Sequence, residues 1–194
     1  MRSQSPLGRR TKRRVTTLVV IVGMPGAGKS LASTVAKQLG IPVFVSGDVI
    51  RLEAKKRGLE PTRTNLGRLM LEIRSNEGMG AVARRVLPLI QKAISPVVVY
   101  EGARNMEEIE ELRKYYTVHS VAIHASPASR YWRLLRRKRR DQPKSWKQFL
   151  ERDKRELKVG LGRVIVLADR MIENENTKDQ LRRQTGRVLK KILE

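Results

Sequence analysis

The chain has 194 residues, enough for one domain, and 40% of them are hydrophobic, enough for a buried core. It has no cysteine, which excludes disulfide bonds and thiolate metal sites. The formal net charge of +23 favours anionic partners, either nucleic acid or small anionic ligands bound beside a solvated basic surface.

Residues 1–15 differ in composition from the rest of the chain. They are polar and basic and have no apolar periodicity, so we expect a disordered N-terminal arm and a folded domain at 16–194. The arm's cations could bind RNA weakly and without sequence preference. The first apolar run, 18–22, is far shorter than the roughly 20 residues that span a bilayer. We therefore expect a cytoplasmic protein with no membrane partner.

Apolar runs alternate with helical patterns along the rest of the chain. Buried strands are predicted at 16–22, 41–45, 96–100 and 118–123, with a short last strand around 171–172. Helices are predicted at 30–39, 48–57, 66–78, 81–94, 106–115, 127–140, 146–158, 163–168 and 179–193. This alternation predicts a three-layer α/β fold, in which a five-stranded parallel sheet has helices on both faces.

The strongest motif follows the first predicted strand. Residues 23–30 read GMPGAGKS and fit the P-loop pattern G-x-x-x-x-G-K-[ST]. Glycines let the backbone curl so that N–H groups face an anion, and the next helix adds the positive end of its dipole. Lys29 is expected to reach the β- and γ-phosphates of ATP, and the Ser30 hydroxyl to bind Mg²⁺. The predicted ATP site is Gly23, Met24, Pro25, Gly26, Ala27, Gly28, Lys29 and Ser30.

Polar residues also follow the second and third predicted strands, where parallel sheets bind ligands. Asp48 could orient an acceptor or Mg²⁺, and Arg51 could hold an acceptor phosphate. Alternatively, Asp48 is a helix cap and Arg51 a surface cation. Glu101 follows the third strand, where a carboxylate can organise Mg²⁺, and Arg104 would point into the same crevice. The alternative is a plain loop with an exposed arginine.

The predicted helix at 127–140 is strongly basic. Arg130, Arg133 and Arg137 are spaced by three and four residues and would share one face. Such a face could close over phosphates, neutralise charge in the transition state and exclude water. The alternative interpretation is a solvated or RNA-contacting helix.

Together these motifs resemble a known family. GMPGAGKS, GDVIR, EGAR, RDKREL and AD-x-x-I-x-N resemble an archaeal family of adenylate-kinase-related P-loop proteins, from about Thr16 to the C-terminus. AD-x-x-I-x-N also resembles a stretch of dephospho-coenzyme A kinases. The family pattern would place Asp where this chain has Glu101.

The resemblance implies a kinase of the nucleoside-monophosphate-kinase type with a short lid and a helical flap at 48–94 on the acceptor side. It implies that the acceptor is held by Arg51, Arg74 and Arg104, and that Asn174 lies near the adenine. The expected catalytic residues are Lys29 of the P-loop, Asp48 on the acceptor side, and the lid arginines Arg133 and Arg137.

Three functions remain open. We expect a kinase that transfers the γ-phosphoryl group of ATP to a nucleoside monophosphate or a similar phosphate-bearing small molecule, and the arginines after the strand ends favour it. An ATPase or nucleotide-gated RNA-binding protein is favoured by the net charge. Kinase activity on dephospho-coenzyme A is suggested by AD-x-x-I-x-N alone.

Overall fold

A computed structural model of the chain describes residues 15–137 and 142–194. The predicted arm therefore lies outside the described residues except for its last residue, Val15. The strands are β1 (Thr17–Val22), β2 (Val43–Val45), β3 (Val97–Glu101), β4 (Thr117–His124) and β5 (Arg170–Glu173). The helices are α1 (Lys29–Gln38), α2 (Ser46–Lys56), α3 (Arg63–Glu77), α4 (Ala81–Gln91), α5 (Met106–Arg113), α6 (Pro127–Leu135), α7 (Trp146–Lys158), α8 (Leu161–Val166) and α9 (Lys178–Leu193).

The sheet is parallel and has the strand order β2-β3-β1-β4-β5. In the central strand, Leu18 pairs with Val98 of β3 and with Val118 of β4. An apolar run without alternation is what a strand covered on both faces requires, and residues 18–22 of β1 are all buried. The predicted five-stranded parallel α/β fold is confirmed.

Helices cover both faces of the sheet. On one face, Leu18, Val20 and Val22 of β1 belong to a cluster that includes Val86 of α4 and Leu112 of α5. Val19 and Ile21 pack on the opposite face, in a cluster with residues of α1 and α9. These are the three layers expected from the sequence, and they leave the carboxyl ends of the strands open to ligands.

A smaller core lies beside the sheet, in the region predicted as a helical flap. Ile50 of α2, Leu69 and Ile73 of α3 and Val82 of α4 are buried against one another. These helices form a separate wall that faces the carboxyl ends of β2 and β3.

The basic helix is shorter than predicted. It ends at Leu135, and the Arg137 N–H bonds the Leu134 carbonyl in a tight closing turn. Arg137 therefore follows the helix, and residues 138–141 lie outside the described residues. Arg133 lies three and four residues before Arg136 and Arg137, and repulsion between these like charges disfavours continuing the helix past Leu135. Within the described ranges, no helix is long and apolar enough to cross a membrane.

Candidate functional site

The P-loop joins the end of β1 to the start of α1. Gly26 and Gly28 have φ values of 85° and 116°, in the left-handed region that favours glycine. Neither position has space for a side chain. A Cβ on Gly26 would lie 2.7 Å from the Arg130 carbonyl oxygen, and one on Gly28 would lie 2.4 Å from Asn174 Nδ2. The glycines of the motif therefore serve both the curl of the loop and its close packing.

Two side chains from distant parts of the chain hold this loop. Asn174 Nδ2 donates a hydrogen bond of 2.7 Å to the Ala27 carbonyl oxygen. Arg130 donates one of 3.2 Å to the Pro25 carbonyl oxygen. Asn174, predicted to lie near the adenine, is thus placed against the phosphate loop itself, just after β5.

Arg130 does not face the ligand cleft as the helix pattern predicted. Its guanidinium is buried and forms two hydrogen bonds to the Asp153 carboxylate, of 2.9 and 2.5 Å. Its Nε donates to the Ala125 carbonyl, and the group stacks over the Phe149 ring at 4.9 Å. Arg130 therefore links α6, α7 and the P-loop, and the predicted shared face of arginines is wrong.

Lys29 lies within the curve of the loop. Its Nζ donates hydrogen bonds to the carbonyl oxygens of Gly23, at 2.6 Å, and Met24, at 3.3 Å. Burial lowers the pKa of Lys29 to about 8, with Glu101 opposing the shift and Arg104 adding to it. The ammonium group is thus poorly solvated, and a phosphate would supply the counter-charge that it lacks.

Oxygen ligands suited to Mg²⁺ meet beside the lysine. Glu101 at the end of β3 lies with Oε1 3.5 Å from the Ser30 hydroxyl, and its Oε2 accepts a 2.6 Å hydrogen bond from Ser33. Hydroxyl and carboxylate oxygens are hard donors of the kind that Mg²⁺ prefers, with phosphates and water completing its shell. The part of the chain that the structure describes holds no cluster of three or more His, Cys, Asp or Glu that could bind a metal alone. The donor set therefore fits a nucleotide-bound Mg²⁺.

A cleft of about 470 Å³ opens in front of the P-loop. The P-loop and α1 form one side, α2 and α3 face them, and α7 closes a third side. Basic side chains line every wall, namely Lys29, Lys37, Arg51, Arg74, Arg104, Arg137, Arg152 and Arg155. Such a surface suits a ligand with several negative charges.

The predicted acceptor-side residues all line this cleft, but they differ in exposure and in their ion-pair partners. Asp48 and Arg51 form a partly exposed ion pair with each other at the rim. Arg104 forms an ion pair of 3.1 Å with Glu156 and contacts the Met70 sulfur. Arg74 is nearly fully buried and donates a 2.5 Å hydrogen bond to Glu108. Its charge is therefore already balanced.

The two predicted lid arginines are separated. Arg137 lines the cleft. Arg133 lies outside the cleft, where its Nη2 donates a 2.7 Å hydrogen bond to the Asn174 carbonyl, and it borders a shallow surface pocket with Trp132. Because Asn174 holds the P-loop, Arg133 contacts the residue that holds the loop and does not itself line the cleft.

The cleft also contains residues to which the sequence assigned no role, among them Ser33 on α1 and Arg152, Arg155 and Glu156 on α7. Those on α7 lie within RDKREL, one of the segments that carry the family resemblance. Their spacing of three and four residues was a usable signal, since it places them along one side of a helix. Ser33 lies one turn after Ser30 on α1, and that spacing could have shown it.

The sheet order and the P-loop after the central strand define a P-loop kinase fold. The profile of the AAA domain family matches residues 22–149. The chain belongs to the UPF0200 family. It is 40% identical to the UPF0200 protein of Hyperthermus butylicus, over 90% of this chain and 94% of that protein. It is 43% identical to the UPF0200 protein of Pyrococcus furiosus, over 91% of this chain and 98% of that protein. The resemblance to an archaeal P-loop family is thereby confirmed.

Solved structures share the fold at low sequence identity. Shikimate kinase from Bacteroides thetaiotaomicron has a TM-score of 0.63 at 16% identity, covering 91% of this chain and 98% of its own. A gluconokinase from Sinorhizobium meliloti has a TM-score of 0.53 at 16% identity, covering 93% and 95%. These relatives and structures lend no support to RNA binding.

Proposed function

We propose that this protein is an ATP-dependent phosphotransferase that transfers the γ-phosphoryl group to a small phosphate-bearing acceptor, a nucleoside monophosphate or a similar molecule. The observation that carries this proposal is the convergence of the P-loop and the arginines of three other elements on one cleft. A hydrolase needs no such second set of cations opposite the loop, whereas a kinase must bring two anions together.

On the ATP side, the loop N–H groups and Lys29 hold the phosphates. Ser30 and Glu101 are the residues that would hold Mg²⁺, which when bound offsets negative charge on the phosphate oxygens. Arg137 approaches from the lid side and would balance charge as the phosphoryl group moves. Catalysis then rests on positioning and charge balance, with little covalent chemistry by the protein.

On the acceptor side, charged and apolar surfaces lie next to each other. Arg104 and Arg155 offer guanidinium groups that can grip a phosphate with paired hydrogen bonds. Ile50, Leu66 and Met70 supply an apolar wall between the basic positions. Shikimate kinase and gluconokinase are named for polyhydroxy acids, which have no flat apolar face. The apolar wall therefore favours a nucleotide base, and a nucleoside monophosphate is the acceptor class that we propose.

The test is a panel of acceptors incubated with Mg-ATP, with ADP formation and acceptor phosphorylation measured together. The panel comprises nucleoside monophosphates, dephospho-coenzyme A, shikimate, gluconate, RNA and buffer alone. We expect ADP to form in step with a phosphorylated nucleoside monophosphate. ADP that forms equally in buffer alone would contradict the kinase proposal and favour an ATPase. A Lys29→Met variant serves as the control for contaminating kinases.

A further inference from the structure

Ser33 and Glu101 form a buried contact next to the ATP site. Ser33 is 4% exposed and Glu101 is 7% exposed. The Ser33 hydroxyl donates to Glu101 Oε2 at 2.6 Å, the length expected of a charge-assisted bond from a hydroxyl to a carboxylate. Ser33 and Ser30 lie one helical turn apart on α1, so both hydroxyls face the same carboxylate.

The two oxygens of Glu101 have different environments. Oε2 is bound by Ser33, while Oε1 faces the Ser30 hydroxyl at 3.5 Å, a long and weak contact. A glutamate side chain has three rotatable bonds, and ordering it has an entropic cost. The bond to Ser33 fixes the carboxylate at one end and leaves the other oxygen directed at Ser30. The weakly held oxygen is the one available to a cation or to its bound water.

We propose that Ser33 is a positioning residue for the divalent cation bound with ATP. It acts through Glu101, holding that carboxylate in the orientation in which Oε1 and the Ser30 hydroxyl approach the same point. The inference rests on the proposed function, because it requires that a metal–nucleotide complex binds at the P-loop. Partners that orient metal ligands change metal affinity by about 10–100-fold when removed.

The test compares wild type and Ser33→Ala in binding of a fluorescent ATP analogue while Mg²⁺ is titrated. We expect the Mg²⁺ concentration at half-maximal effect to rise about tenfold or more in the variant. Affinity for the analogue in EDTA should stay within about twofold, because Ser33 touches Glu101 and not the phosphates. Direct Mn²⁺ binding in the presence of ADP, followed by electron paramagnetic resonance, provides a readout independent of turnover.

Ser120→Ala is the matched control. Ser120 is also a buried serine that donates a 2.7 Å hydrogen bond to a carboxylate, that of Asp169, and it lies outside the cleft. It should match Ser33→Ala in any loss of thermal stability but leave the Mg²⁺ dependence unchanged. Ser33→Cys keeps the side-chain size with a weak donor and covers the case in which the alanine variant does not fold. It should show an intermediate shift in Mg²⁺ dependence.

A double-mutant comparison isolates the path through Glu101. In a Glu101→Gln background, Ser33→Ala should add less than about twofold to the metal dependence, because the carboxylate that it orients is gone. An unchanged Mg²⁺ dependence in Ser33→Ala and Ser33→Cys, with a clear shift in Ser30→Ala, would overturn the role of Ser33 and leave the proposed function standing. If wild type shows no Mg²⁺-dependent nucleotide binding, both the inference and the proposed function are wrong.

Discussion

Lys29 shows how one residue can be primed for its ligand. In the free protein its ammonium bonds two carbonyl oxygens, and burial lowers its pKa from 10.5 to about 8. A folded-state pKa below the unfolded value means that the charged lysine costs stability below about pH 8. That cost disappears as the pH rises from about 8 to 10.5, so this group alone makes stability increase with pH over that window. A triphosphate reverses the balance, because its charge favours the protonated lysine.

ATP binding should therefore take up a proton at alkaline pH. With a pKa of about 8 in the free protein, Lys29 is mostly protonated at about pH 7 and mostly neutral at about pH 9. We expect uptake of about 0.1 proton per ATP at the lower pH and about 0.9 at the higher, with affinity falling as pH rises. Calorimetry in two buffers of different ionisation enthalpy measures this uptake. Lys29→Arg keeps the charge but does not titrate, so it should abolish the pH dependence of uptake.

Arg104 and Arg74 line the same cleft but should respond differently to substitution. Arg104→Lys keeps the charge and loses the fork geometry, so we expect the KM of the acceptor to rise by about 10-fold with a smaller change for ATP. Both arginines have a carboxylate partner, but Arg74 is nearly fully buried with Glu108, whereas the Arg104 side chain is 28% exposed. We therefore expect Arg74→Lys to lower the free energy of unfolding and to change the acceptor KM less than Arg104→Lys does. Steady-state kinetics and urea unfolding of both variants separate these effects. A larger rise in the KM of ATP than of the acceptor in Arg104→Lys would contradict the acceptor assignment.

At the scale of elements, the three arginines predicted to share one face lie in three different environments. Arg130 is buried against Asp153 of α7, Arg133 donates to the Asn174 carbonyl, and Arg137 lines the cleft. The sequence predicted the strands, the P-loop and the helix pattern well, because buried apolar runs and glycine turns are local signals. It could not show that Arg130 would turn to Asp153, since this pair joins positions 23 residues apart. Nor could it show that Arg133 and Arg137 would separate, because that depends on where α6 ends.

Removing one partner of the buried Arg130–Asp153 pair should destabilise the fold and weaken the support of the P-loop. Asp153→Ala leaves a buried arginine without its carboxylate, and we expect a loss of about 3–5 kcal/mol in the free energy of unfolding. ATP affinity should also fall, because Arg130 then holds the Pro25 carbonyl less firmly. Urea unfolding and nucleotide titration measure the two effects. Glu151→Ala, an exposed acid on the same helix, should change neither by much.

The whole molecule carries a net charge of +23, and this excess of positive charge lowers its stability. Repulsion between like charges opposes the compact state and is screened over about 10 Å at 0.1 M salt. We expect Tm to rise between about 0.05 and about 0.5 M KCl, by about 2–4 °C for each kcal/mol of repulsion removed. Thermal unfolding in KCl, repeated with Lys29→Met, excludes anion binding at the P-loop as the cause. A fall in Tm with salt would show that ion pairs outweigh the repulsion.

The bond from Asn174 to Ala27 makes the nucleotide site depend on both ends of the domain. The segment at 22–149 contains the phosphate loop and most of the cleft, yet it ends before β5 and α9. A fragment with those limits would lack the amide that holds the loop carbonyl and the leucine that packs over Gly28. We expect residues 16–149 to bind ATP at least tenfold more weakly than residues 16–194, and a separately made 150–194 peptide to restore part of the affinity. Fluorescence titration of ATP into the mixture of the two pieces would show whether the P-loop binds ATP tightly only when β5 and α9 are present.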